Sequence, residues 1–230
     1  MKSTLLNMVL VLFGITLVAS AGVGAVNMLT EGAIKEAENK ANMAGRLAVL
    51  PELENQKEQI IDTVQVTNSK NKQVDAIVYT AKNQLGKVQG YAVEATSSEG
   101  FNGDVKLIVG FTTEGKILNV NVLKQTETPG LGTKMTEKGN NLIKSVKDVN
   151  PADMKLVDGH IKVVKDGGSV DALTAATISS RAYTDALDCA WAAYKSVASN
   201  GTSVEETAAE EIADAEAEQT VTEEGGNNEK

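Results

Sequence analysis

An uncharged run opens the chain. Leu5 to Leu29 read LLNMVLVLFGITLVASAGVGAVNML, and the polar members are small or isolated. As a helix, roughly 25 residues span about 37 Å, enough to cross a bilayer with some tilt. The segment therefore predicts a transmembrane anchor over residues 5–29. Lys2 and the terminal amine lie on the short side, which puts the N-terminus in the cytoplasm and the remainder on the extracytoplasmic side. A second reading is a cleaved signal peptide, since Ala19-Ser20-Ala21 has the A-x-A pattern. The apolar character continues through Gly22–Leu29, which favours the anchor. Either reading carries the rest of the chain across the membrane.

Charge then separates a folded part from a tail. The formal net charge is −9, and residues 201–230 hold ten acids and one Lys. Residues 1–200 are therefore neutral, with no basic patch, which argues against a nucleic-acid partner. The tail has almost no large apolar residue and cannot offset its ordering entropy. It is expected to be disordered, with a transient helix around residues 204–217. Cys189 and His160 are the only residues of their kinds. That excludes an intrachain disulfide, a Cys/His zinc site and a supported Ser-His-Asp triad. Neither a side-chain catalytic group nor a metal site is expected.

Between these ends the period changes. Thr30 caps an expected helix to about Leu50, with Ile34, Ala37, Ala41, Ala44 and Ala48 on one stripe and Pro51 as the stop. Residues 30–73 are read as helical stalk and linker, with the helix as the first element of the domain itself as an equal alternative. From residue 74 the pattern is strand-like: VDAIVYTAK, KVQGYAVEATS, then DVKLIVGFT, where Val105, Leu107, Val109 and Phe111 share a face. After the Glu114-Gly115-Lys116 turn, ILNVNVLKQ puts Leu118, Val120 and Val122 on one face, completing a hairpin. A helix along Met135, Gly139, Leu142 and Val146 is expected next, then a short strand in HIKVVKDGG. A last helix runs from about Ser179 to Ala198, burying Tyr183, Leu187, Ala190, Trp191, Tyr194 and Val197, and Asn200-Gly201 end it. The expected fold is α+β: a curved, mostly antiparallel sheet flanked by helices in one domain, residues 74–200. Cys189, Trp191 and Tyr194 read as core, and His160 as a surface residue in a turn.

The stretch DALTAATISSRAY, residues 171–183, lies where that last helix starts. Read locally it is a capped helix start, with Ser179 and Ser180 as natural caps. The free N–H groups and dipole there also favour an anion. Ala175 and Ala176 keep the approach clear of bulk. Upstream, ETPGLG at Glu127–Gly132 reads as a Pro-Gly turn, in which Gly130 and Gly132 allow tight bends or close ligand approach.

Asp171-Ala172-Leu173-Thr174-Ala175-Ala176-Thr177 resembles the acceptor motif for covalent flavin attachment, D-x-x-[ST]-[GA]-A-T, with Ala175 where Gly is commoner. Together with the anchor, the ETPGLG loop and ISSRAYTDAL at Ile178–Leu187, the chain is similar to the G subunit of the Rnf electron-transport complex, an ion-translocating ferredoxin:NAD oxidoreductase. The C subunit of the Na⁺-translocating NADH:quinone reductase shares this layout and is the nearer alternative. A non-catalytic, membrane-anchored assembly module is the other. The resemblance implies FMN joined by its phosphate to the Thr177 hydroxyl by a flavin transferase. It implies an electron-carrying role beside other membrane and peripheral subunits, in a complex moving Na⁺ or H⁺. Asp171 and Thr174 would be read during attachment or shape the loop, Ser179, Ser180 and the local backbone amides would help hold the phosphate, and Glu127, Thr128, Gly130, Leu131, Gly132 and Thr133 would pack near the flavin.

Overall fold

A computed structural model describes residues 2–55 and 60–221. The first unit, Met1–Ala44, is helical; the second, Gly45–Lys230, contains the sheet. Helix α1 runs unbroken over Lys2–Val49, where the sequence suggested two helices meeting at Thr30. Thr30 does not cap: its hydroxyl donates to the Val26 carbonyl at 2.9 Å, the back-bonding open to a Thr inside a helix. From Leu6 onward α1 is long and apolar enough to cross a membrane by length and composition. Leu10, Phe13 and Ile15 are all exposed, which fits single-pass anchoring.

The sheet has five strands: β1 (Ile60–Thr67), β2 (Gln73–Lys82), β3 (Val88–Ser97), β4 (Val105–Thr112) and β5 (Ile117–Lys124). Each pairs antiparallel with its neighbour in sequence. The linker foreseen to residue 73 is therefore shorter. Val64 and Val66 of β1 pack on the core, while polar Asp62 and Thr63 before them and Gln65 between them weaken the run.

Strand β4 behaves as its alternation requires, with Val105, Leu107, Val109 and Phe111 all at 0% exposure. Strand β5 does not. Ile117 pairs with Phe111 and Asn119 with Gly110, so Leu118 is an extra residue in a bulge. A bulge reverses the side-chain parity before it. Ile117 therefore faces the core with Val120 and Val122, and Leu118 packs on the opposite face.

The single helix foreseen after ETPGLG is broken. A 3-10 turn at Gly132–Thr136 and α2 (Asn141–Val146) are separated by Gly139, which sits at φ 69°. Asn140 caps α2 by accepting from the Ile143 amide. A small hairpin follows, β6 (Leu156–Val157) with β7 (His160–Ile161).

Helix α3 (Thr177–Val221) lies across the first face of the sheet and begins two residues earlier than the caps suggested. Its Tyr183, Leu187, Ala190, Trp191 and Tyr194 are buried, and Val197 packs at the margin of the same core. Trp191 stacks on Tyr194 at 5.2 Å, and Tyr194 on Phe111 at 4.9 Å. Polar ties fix its roll. Asp185 accepts from the Ser69 and Ser97 hydroxyls at 2.5 and 2.7 Å, and Asp188 accepts from the Ile161 amide at 2.9 Å. His160 is not a free surface residue: its Nδ1 lies 2.6 Å from Asp188 Oδ2. The helix continues through Gly201 to Val221, into the expected tail. The Ala/Glu-rich sequence there has high helix propensity, and one Gly costs only about 1 kcal/mol. Residues 222–230 of that tail lie outside the described residues.

The second face of the sheet takes the last turn of α1 and the residues that follow it. Val49, Leu50 and Leu53 bury against Tyr79, Ala81, Ala92 and Ile108. Glu94 is 3% exposed on this face and is held by Arg46, Lys106 and the Tyr79 hydroxyl. Burial, and next Glu94, push the Tyr79 phenol up to about 12. The close approach depends on Gly110, where a Cβ would collide with the Val49 carbonyl. Gly110→Ala should cost about 1–3 kcal/mol, read as a lower urea midpoint with unchanged m.

Candidate functional site

Three segments converge at the N-terminus of α3. They are the β3–β4 loop at Gly100–Gly103, the ETPGLG loop, and residues 171–180. Glu127 joins them. It is 3% exposed, accepts from the Asn102 amide at 3.2 Å through Oε1 and from the Ser179 hydroxyl through Oε2. Thr126 adds a bond from its hydroxyl to the Asn102 carbonyl, 2.9 Å. Gly132 makes room: a Cβ there would fall 2.6 Å from Glu127 Cβ and onto Ser179 Oγ. Its neighbour Gly130 adopts φ 75° and donates its amide to Thr133 Oγ1 at 2.9 Å. The loop is thus a closed turn with its acid pointing inward.

The turn before α3 is equally determined. The Ser180 hydroxyl donates to the Ala176 carbonyl at 2.8 Å and accepts from the Leu173 amide at 2.9 Å. Between these points the backbone doubles back, and Ala175 is forced to φ 61°. That left-handed conformation costs an L-residue roughly 1–2 kcal/mol and costs glycine little. It accounts for the Gly preference at this position of the motif.

Thr177 is the first residue of α3 and is half-buried. Among the described residues, the amides of Thr177, Ile178 and Ser179 have no hydrogen-bond partner, as the first turn of a helix leaves them. They and the helix dipole present partial positive charge beside the Thr177 side chain. Ser179 and Ser180, foreseen as phosphate holders, are both buried and engage their hydroxyls inside the protein. The backbone amides of that first turn are the groups left unpaired.

A cleft of about 310 Å³ opens over this turn, with Thr128, Leu131, Gly132, Ala175, Ala176 and Thr177 in its lining. The structure thus unites these foreseen residues. Phe101 and Ile178 complete an apolar rim with Leu131; they are 60, 46 and 39% exposed. Sequence reasoning missed Phe101. Its signal was a large aromatic in a Gly/Asn turn, in a chain with three Phe in all. Glu127, Gly130 and Thr133 shape the wall from behind. Asp171 and Thr174 are exposed on the outside of the turn, where another macromolecule can read them.

Cys189 is a core thiol. Burial, and next Asp185 and Asp188, push it up to about 12, so it is neither an available nucleophile nor a ready redox group. Arg181, one turn after Thr177, forms a bidentate pair with Asp166 at 2.7 and 2.6 Å. That bond holds the Asp166 carboxyl below its ordinary 3.8.

The FMN-binding domain family matches residues 100–192, which span every segment of the cleft. Relatives of similar length carry the comparison further. The G subunit of an ion-translocating oxidoreductase complex from Shewanella oneidensis is 36% identical, covering 72% of this chain and 77% of the relative. The protein of the same description from Shewanella baltica is 32% identical, over 81 and 88%. The G subunit of a Na⁺-translocating ferredoxin:NAD⁺ oxidoreductase complex from Acetobacterium woodii is 28% identical, over 82 and 90%. The crystal structure of Shewanella oneidensis NqrC aligns with TM-score 0.39 at 22% identity, over 63% of this chain and 66% of that one; so loose a likeness places no residue of the site. The chain belongs to the family of G subunits of ion-translocating oxidoreductase complexes.

Two outcomes follow from this geometry. Ala175→Val, a β-branched residue at positive φ, should lose about 1–3 kcal/mol, whereas Ala175→Gly should stay within about 1 kcal/mol of the parent, both by chemical denaturation. The Asp166 contribution is present above the ordinary carboxylate value and lost as pH falls through its lower folded value. Asp166→Asn should therefore flatten the acid limb of the stability–pH curve below about pH 4.

Proposed function

We propose that Thr177 Oγ carries FMN as a phosphoester in the cleft at the start of α3. The observation that supports this most is the meeting of a half-buried hydroxyl with three unpartnered amides under an apolar rim. The chain is an electron-transfer flavoprotein of an ion-translocating oxidoreductase complex, as its family and its FMN-binding domain indicate. Bound flavin accepts and passes one or two electrons.

The protein's part is to hold and orient. The amides of Thr177, Ile178 and Ser179 would offset the phosphate charge. Phe101, Leu131 and Ile178 would exclude water from an aromatic ring, and Glu127 keeps both walls in register. A flavin transferase carries out the attachment: Thr177 Oγ loses its proton and gains the bond to phosphorus, while the activated flavin nucleotide gives up its leaving group. The exposed Asp171 and Thr174 suit reading by that enzyme. A covalent tether suits a fixed relay, because the cofactor stays when its redox state changes.

The domain limits belong to the same reading: an anchor over residues 5–29, the N-terminus in the cytoplasm, and the flavin domain on the extracytoplasmic side of the cell membrane. The complex couples ferredoxin:NAD electron transfer to movement of Na⁺ or H⁺, and its other subunits are the partners.

Co-expressed with a flavin transferase, the chain should gain about 438 Da and fluoresce in a denaturing gel. Thr177→Ala should abolish both signals, and Cys189→Ala neither. A fluorescent band that survives Thr177→Ala would remove Thr177 from this role. An unmodified mass for the parent under the same conditions would leave an assembly module as the better description.

A further inference from the structure

A second cleft, of about 400 Å³, lies at β5 and shares no lining residue with the cleft over Thr177. It meets Val120 and Val122 on the face turned to α3, and Asn119 and Asn121 on the other face. A hollow that reaches both faces of one strand runs along that strand's edge. Strand β5 is the last of the sheet. Its outer edge is paired at Ile117, whose amide donates to the Val149 carbonyl and whose carbonyl accepts from the Asp148 amide, at 2.9 and 2.8 Å. Among the described residues, Asn119–Val122 meet no strand on that side. Open edges are templates for a further strand.

Tyr183 contributes to the lining from α3. It is 1% exposed, yet among the described residues the one fully buried side-chain oxygen without a partner is Ser169 Oγ, so the Tyr183 hydroxyl opens onto the hollow that it lines. A phenol at such a place can donate one hydrogen bond to whatever enters. Burial pushes the pKa of this phenol up, so it remains a neutral donor. Across from β5, Lys138, Lys144 and Lys147 border the cleft, against a single lining acid, Glu137. The hollow thus offers an open strand edge, a phenol donor in its lining and a cationic wall.

We infer that this cleft receives an extended acidic segment of another polypeptide, which adds to β5 as a sixth strand and gives an oxygen acceptor to the Tyr183 hydroxyl. Main-chain pairing supplies the register, and the lysines select acidic side chains. A small anion would use the lysines but has no need of a groove that reaches both faces of the strand.

The test titrates a fluorescein-labelled octapeptide of alternating Val and Glu against the full chain in detergent, with a Val–Lys octapeptide as control. The acidic peptide should bind, and more weakly as salt rises. Replacing the three lysines by Glu should weaken it at least about tenfold. Tyr183→Phe, with unchanged circular dichroism, should weaken it by about three- to tenfold. N-methylation of alternate peptide amides should remove binding. No binding at millimolar peptide, equal binding of both peptides, or indifference to N-methylation would overturn the inference. So would tighter peptide binding by a full-length variant with Glu205, Glu206, Glu210 and Glu211 changed to Gln, which would assign the groove to this chain's own acidic stretch. A dimer that dissociates on the triple lysine change would assign it to a second copy and overturn it equally.

Discussion

A carboxyl group 3% exposed to solvent is tolerable only when its oxygens are satisfied, and Glu127 meets that condition by gathering distant parts of the chain. One oxygen takes the Asn102 amide and the other the Ser179 hydroxyl. Each bond alone contributes about 1 kcal/mol net, but an unpaired buried partner costs more. The three segments are therefore held as a set. The two walls of the cleft over Thr177, at Thr128–Gly132 and Ala175–Ser179, stay apart by a distance that this one side chain fixes.

Around that bracket the protein uses few aromatic residues. Aromatics are 3% of the chain, and four of them collect where α3 meets β3 and β4: Tyr91, Phe111, Trp191 and Tyr194. The rest of the interface is Val, Leu and Ala. A helix packed through small side chains can slide or roll, and the buried Asp185 and Asp188 bonds resist this at either side. The position of Thr177 at the head of α3 is thus set by contacts made much further along the helix.

Much of this was legible in the sequence, for physical reasons that differ by element. Strands β2 and β3 announce themselves by β-branched residues and the turn signals between them, and β4 and β5 by alternation with Gly115 between them. Residues 171–177 carry a motif recognisable by its spacing, and the lining of the cleft includes Ala175, Ala176 and Thr177. What stayed hidden depends on partners the sequence does not place. Leu118 changes face because of a bulge. Strand β1 is masked by Asp62, Thr63 and Gln65. Thr30 looks like a cap because its hydroxyl can serve either a helix start or the carbonyl four residues back. Ser179 and Ser180 look like anion ligands until Glu127 and the Ala176 carbonyl claim them. Phe101 joins the rim only through folding.

The strand order has a kinetic consequence. Every strand lies beside its neighbour in sequence, so each hairpin closes a short loop and the sheet grows by local steps. The bonds of Glu127 are different: they join residues 25 and 52 positions apart. Their closure entropy is met only once the meander has brought the ends near. On loop-closure grounds the hairpins are expected to form before the cradle at Thr177 and before the ties of Asp185, which join residues 116 and 88 positions apart.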